Sequence, residues 1–261
     1  MPAVDHNGHL VDRIRQDRLI GTFVKSRDPT TTEAIAVAGY DFVIADLEHS
    51  VLAMADVENI VRACDRHGVA VVARIDAGMA DRIGTLLDVG VSGIQVSNVT
   101  RSDNARAVQL AAHYPPRGVR SLSLANRAAG FGTITAKDHL IATAGRCALI
   151  GQIESVNGLA NLPAILDSAV FDLLFLGPTD LSVDLGHPGD LRHPTVHTAL
   201  DTAAQMTLAH GTALGIFCAT VEEAQQWARR GATYLAVSSD LAMLADTAMS
   251  TARLWRSSAV T

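Results

Sequence analysis

The sequence is short of lysine: of its 21 basic residues, 19 are arginine, and only Lys25 and Lys137 are lysine. A Schiff-base mechanism, which needs a reactive amine, therefore has just two candidates. Cysteine is scarce too. Cys64, Cys147 and Cys218 are odd in number, far apart and without CxxC spacing, so reduced core thiols are expected rather than bridges or a zinc site. Aromatic residues make up 4% against 48% hydrophobic residues, so the core must be aliphatic. There is no basic run, and the net charge is -6, which excludes ordinary nucleic-acid binding through clustered phosphate contacts. No apolar run approaches the ~18 residues of a membrane span. The opening, MPAVDHNGHLVDRIRQDRL, carries charges where a secretory leader would be apolar. A soluble cytoplasmic protein is expected, and the aliphatic content excludes a disordered one.

What is present is a regular alternation. Short apolar runs at 20–25, 42–48, 69–75, 93–99, 147–154, 173–177, 213–218 and 234–239 read as strands. Their nearly continuous hydrophobicity suits strands buried on both faces of a parallel sheet. Between them lie amphipathic stretches such as MADVENIVRACDRHG and TVEEAQQWARRG, each ending near a glycine as helices often do. Eight such units predict an α/β chain folded as one (β/α)8 TIM barrel over 1–261. A doubly wound sheet is the rival, but no GxGxxG turn supports it. Residues 1–17 read as an N-terminal extension or helix. The connection 100–146 is too long for a simple crossover and is expected to lie over the barrel mouth.

Active sites of such barrels form at the C-terminal ends of strands. Asp46, Glu48 and His49 end the second run, Arg74 and Asp76 the third, and Gln152 and Glu154 the fifth. The sixth leads into Gly177-Pro178-Thr179-Asp180. Glu154 and Asp180, at successive strand ends, can share a hard divalent cation such as Mg2+ or Mn2+; the alternative is that they cap the following helices. His49 can act as a base near neutral pH or be a solvated loop residue. Arg74 can hold a carboxylate or enolate oxygen, or pair with Asp46 or Glu48 at the rim. Lys25 reads as a rim charge.

The segments ADLEH (45–49), VVAR (71–74), LLDVG (86–90), YPPRGVRS (114–121), GQIES (151–155) and GPTDLS (177–182) together resemble the HpcH/HpaI aldolase family, in order and spacing from about 18 to 245. These are metal-dependent class II pyruvate aldolases. The resemblance implies that Glu154 and Asp180 bind Mg2+, Mn2+ or Co2+, and that Gln152 orients a water or substrate oxygen. It implies that Gly177, Pro178, Thr179 and Asp180 bind substrate, with the amides of the last two receiving the pyruvate carboxylate. Arg74 would contact the enolate oxygen and His49 would serve proton transfer. Asp88 would pair with a histidine across a subunit contact. The products would be pyruvate and an aldehyde, and the assembly a homohexamer in which the C-terminal helix packs on a neighbouring subunit. The sequence departs from the family where ARIDAG places Asp76 after the arginine, where QVSNV forms the fourth strand, and where the opening GTFVKSRDPTT lacks the aromatic residue often found near the first strand in sugar-acid aldolases; substrate choice is expected to rest on these. A citrate-synthase-like Claisen condensation of a 2-oxo acid with an acyl-CoA is the alternative chemistry. A non-catalytic carboxylate-binding barrel is the alternative of another class.

Overall fold

Each apolar run becomes a strand, because β-branched and aliphatic residues fit a pleated surface that is covered on both sides. In the computed structural model, which describes residues 9–258, the strands are β1 (Leu19–Val24), β2 (Phe42–Asp46), β3 (Ala70–Ile75), β4 (Gly93–Val96), β5 (Ala148–Ile153), β6 (Leu173–Leu176), β7 (Ala213–Cys218) and β8 (Tyr234–Ser239). All pair in parallel with their sequence neighbours, and β8 pairs with β1, closing an eight-stranded barrel. The helices are α1 (Leu10–Gln16), α2 (Pro29–Val37), α3 (Met54–Asp65), α4 (Ile83–Val89), α5 (Ser102–Ala112), α6 (Ala136–Thr143), α7 (Val156–Ala160), α8 (Leu162–Asp167), α9 (Pro178–Asp184), α10 (Pro194–Ala209), α11 (Val221–Arg229) and α12 (Asp240–Ser258). None of these helices is long and apolar enough to cross a membrane.

Strand periodicity of two separates the core into two layers. Phe42, Ile44, Val72, Ile150, Phe175 and Tyr234 fill the barrel, while Val43, Ala45, Val71, Ile94, Leu149 and Leu174 meet the helices outside. The interior is tight at its base, where Phe42 stacks on Tyr234 with centroids 3.7 Å apart. Gly21 allows this, since a Cβ there would come within 2.1 Å of the Phe42 ring. Helix α1 sends Leu10 and Ile14 into the same interior cluster and so closes the strands' N-terminal end. The expected N-terminal helix is thus α1; the rest of the extension, 1–8, lies outside the described residues.

The connection 100–146 does not cover the mouth. Helix α5 carries the chain down the barrel, about 16 Å at 1.5 Å per residue for its 11 residues. The chain then folds back beneath, with Val119 N–H donating to the Leu110 carbonyl at 2.8 Å. Arg120 donates to Asp88 at 2.6 Å, Ala128 N–H donates to the Asp88 carbonyl at 3.1 Å, and Arg127 pairs with Asp65. Asp65 and Asp88 sit in the last turns of α3 and α4, just ahead of β3 and β4. The connection therefore lines a cleft of about 810 Å³ at the strands' N-terminal end, with Val69, Ser92 and Cys147. Its Pro, Gly and Arg content announces a loop but is silent about which end of the barrel the loop joins.

Candidate active site

The same periodicity that fills the interior aims the last residue of several strands into the mouth. Asp46 shares the inward side of β2 with Phe42 and Ile44, and register sets it beside Arg74, which in turn lies beside Gln95. Lys25 directly follows β1, and Gln152 is the last but one residue of β5. One side of the mouth is thus a polar arc. The other side is aromatic: Phe23 meets Phe175 and Phe217 edge-on, at 6.4 and 5.9 Å between centroids.

Charges in the arc are tightly paired. Arg74 grips Asp46 with a fork, Nε to Oδ1 at 2.9 Å and Nη2 to Oδ2 at 2.7 Å, and its guanidinium lies 4.7 Å from the Phe23 ring centroid. Lys25 Nζ lies 2.7 Å from Asp46 Oδ2 and donates to the His49 carbonyl at 3.1 Å. Burial alone would raise the Asp46 carboxyl, but Arg74, Lys25 and the His49 amide outweigh it and hold the group at about 2. The rim ion pair anticipated for Arg74 therefore exists, and it leaves Nη1 directed to no partner among the described residues. Glu48 accepts from Ser97 Oγ at 2.7 Å and lies 3.5 Å from Arg74 Nε. The half-exposed His49 ring stands 3.9 Å from Glu48.

Glu154 follows β5 and is 7% exposed. Its Oε1 accepts from the Asn98 amide at 2.8 Å and its Oε2 from Gln152 Nε2. Gln152 has no choice of orientation, since buried Gln95 donates to its Oε1 at 2.6 Å. Burial raises the Glu154 carboxyl to about 7; the Gln152 and Asn98 bonds oppose this, while nearby Asp180 and Glu48 add to it. Asp180 stands in the first turn of α9. Between the two acids lies Gly177, where a Cβ would come within 2.6 Å of Glu154 Oε2 and 2.8 Å of Glu154 Cβ. A buried carboxylate that resists ionisation beside a second carboxylate suits a hard divalent cation, whose charge would relieve both. Among the described residues no three His, Cys, Asp or Glu side chains form a cage, so any such ion would rely on water or substrate for its remaining ligands.

These groups open on one cavity of about 390 Å³, lined by Lys25, His49, Arg74, Gln152, Gly177, Pro178, Thr179 and Asp180 together with Phe23, Phe175, Phe217 and Ser238. Sequence reasoning passed over the aromatic wall, Gln95 and Ser238. Inward parity marks Gln95 and the phenylalanines once the register is known. Two expectations fail here. Asp76 does not reach the cavity; its carboxylate accepts from the Gly78 amide at 2.7 Å and caps the short turn Ala77–Arg82. Ser97 and Asn98 of QVSNV hold Glu48 and Glu154 rather than lining the cavity. Asn98 and Ser238 both adopt left-handed backbone, φ 47° and 58°, as do Phe131 and Ala169 away from the site. Asp88 is not brought to His49 within one chain; it sits at the opposite end, paired with Arg120.

Comparison with known proteins finds relatives along nearly the whole chain. The family described as HpcH/HpaI aldolase/citrate lyase matches residues 19–247. The 2-dehydro-3,6-dideoxy-6-sulfogluconate aldolase of Pseudomonas putida is 33% identical over 230 residues, 88% of this chain and 89% of that one. The 5-keto-4-deoxy-D-glucarate aldolase of Shigella boydii serotype 18 is 32% identical, covering 85% and 86%. A crystal structure of an HpcH/HpaI aldolase/citrate lyase family protein from Burkholderia cenocepacia J2315 superposes with a TM-score of 0.88 at 30% identity, over 95% and 98% of the two chains. Fold and relatives define a barrel enzyme of the carbon–carbon lyase class. The chain belongs to the HpcH/HpaI aldolase/citrate lyase family.

Proposed function

We propose that the protein is a class II pyruvate aldolase, cleaving a 4-hydroxy-2-oxo acid to pyruvate and an aldehyde, or joining the two in reverse. The observation that carries this is a single cavity lined by Asp180, Arg74, His49 and Gln152, with the buried Glu154 carboxylate held just behind it by its bond from Gln152. Glu154 and Asp180 would hold Mg2+, Mn2+ or Co2+, with Gln152 fixing the Glu154 carboxylate and orienting an oxygen beside it. When bound, the cation supplies Lewis acidity toward the substrate's keto group.

The remaining steps belong to the chain. Thr179 and Asp180 offer first-turn amides of α9, which lack partners within the helix, to the substrate carboxylate. His49 takes the 4-hydroxyl proton, the C3–C4 bond breaks, and its electron pair moves toward the C2 oxygen as an enolate. Arg74, already oriented by Asp46, presents Nη1 to that oxygen as charge develops. Protonation at C3 then yields pyruvate. The aromatic wall keeps water from the carbanion.

We place the enzyme in the cytoplasm, supported by three free thiols, two of them fully buried. We also propose a homohexamer, supported by the exposed apolar residues Leu244, Met249 and Leu254 on α12, which would pack on a neighbouring subunit. In such an assembly a second copy would supply Asp88 to His49. The deciding assay is pyruvate release from a panel of 4-hydroxy-2-oxo acids with each metal, with and without chelator. Turnover undiminished by thorough metal removal sinks the proposal. Thiol release from acetyl-CoA with oxaloacetate, without aldol turnover, would replace it with Claisen chemistry.

A further inference from the structure

The steps above leave Lys25 without a task. Strand β1 lies four strands from β5 in either direction around the eight-stranded barrel, so Lys25 faces Glu154 across the mouth. The pyruvate end of a substrate is assigned to the Glu154 and Asp180 side. What reaches Lys25 is therefore the other end, the part that leaves as aldehyde. An ammonium has three protons. Asp46 Oδ2 and the His49 carbonyl account for two, and the Lys25 side chain, 27% exposed, lines the cavity with the third available.

The acids closest to Lys25 are already engaged. Asp46 also receives the Arg74 fork and the amides of Glu48 and His49, and Glu48 receives Ser97 and faces Arg74. Buried Asp240 is likewise taken up, by the amides of Lys25, Ser26 and Leu241, and Asp246, on the exposed face of α12, also lines this wall. Ser238 and Ser239 complete the lining beside Lys25 and offer hydroxyls. A cation with one free donor, backed by hydroxyls and set opposite the pyruvate side, matches an anionic terminal group on the aldehyde.

We propose that Lys25 is a specificity residue that binds the carboxylate or sulfonate terminus of the aldehyde partner, making acidic aldehydes the preferred substrates. This rests on the aldolase reading. The test compares aldol addition of pyruvate to glyoxylate, to sulfoacetaldehyde and to neutral glycolaldehyde, in the wild type, Lys25→Met, Lys25→Arg and Asp246→Asn. Lys25→Met should lower the kcat/KM ratio of anionic over neutral aldehyde roughly tenfold, the scale of one charge-assisted hydrogen bond. The two anionic aldehydes show which terminus is read. Lys25→Arg should restore the ratio, and Asp246→Asn should raise it about twofold by removing a repulsion screened at the surface.

The Met variant should fold, because Asp46 keeps both bonds to Arg74; circular dichroism checks this. A ratio unchanged within twofold, whatever the absolute loss, overturns the proposal and leaves Lys25 a positioning residue for Asp46 and His49. If the wild type turns over none of the three aldehydes, the aldolase reading fails instead. Lys25 is then decided by calorimetric titration of the metal-free protein with succinate, where equal binding by wild type and Lys25→Met overturns the anion role and a tenfold loss upholds it.

Discussion

In the metal-free protein, Glu154 ties folding stability to pH. Its carboxyl rises from an ordinary 4.5 to about 7, chiefly because burial disfavours the charged form. Between those values the folded chain keeps a proton that the unfolded chain has released, so stability falls as pH rises. One proton corresponds to about 1.4 kcal/mol per pH unit. From 4.5 to about 7 the loss reaches about 3 kcal/mol, absent below the first value and complete above the second. Glu154→Gln removes the titrating group and should remove this slope. Asp46, held at about 2, loses its stabilisation only as pH falls below its ordinary 3.8, outside the window. His139, lowered by burial and by Arg120, adds stability as pH rises and acts equally in both proteins. Urea unfolding of wild type and variant in chelator, from pH 5 to 8, isolates the difference. A divalent cation at pH 8 should then stabilise the wild type, by about 2.7 kcal/mol at a hundredfold excess over its Kd, and leave the variant unchanged. Parallel pH profiles for the two proteins would refute the reasoning.

Arg74→Ala strands the fully buried Asp46 with Lys25 as its one remaining cation, so both rate and stability should fall, the latter by about 3 kcal/mol in urea unfolding. Gly177→Ala should displace Glu154 and weaken Mn2+ binding about tenfold or more by calorimetry, with circular dichroism unchanged, because the added Cβ meets both Glu154 Oε2 and Cβ. Gly21→Ala should instead destabilise the barrel, by about 3 kcal/mol or more, since the added methyl enters the Phe42 ring where Phe42 already stacks on Tyr234. Gln95→Leu should lower metal affinity a fewfold at unchanged stability by freeing the Gln152 amide to rotate, and a wild-type affinity would show that Gln152 needs no such guide.

The barrel was legible because burial on both faces writes itself as continuous apolar runs, and eight of them recur at the right spacing. The strand-end residues were legible for the same reason: a charge that interrupts such a run, as at Asp46, Arg74 or Glu154, must sit where the strand leaves the core. Strand ends blurred where polar residues continue the pattern, so β2 stops at Asp46 rather than Glu48. Asp76 misled because a carboxylate after a strand serves equally to cap a turn, and only the Gly78 amide distinguishes the two. Gln95 lay hidden inside an apolar strand, its meaning dependent on a partner 57 residues away. The path of 100–146 was illegible in kind, because turn-forming residues specify local bends and not the surface they rest on.

One joint of the fold bears on the chain's life before it is complete. The carboxylate of Asp240, 3% exposed at the root of α12, accepts from the amides of Lys25 and Ser26 at 2.8 to 3.1 Å. It links positions some 215 residues apart, at the seam where β8 meets β1 with an irregular register. During synthesis, then, the lysine wall cannot settle until residue 240 has followed β1 out of the ribosome. A chain cut short before residue 234 would hold Glu154 and Asp180 yet lack β8, the strand that closes the barrel around them. The enzyme's reactive groups are thereby kept idle in every unfinished copy.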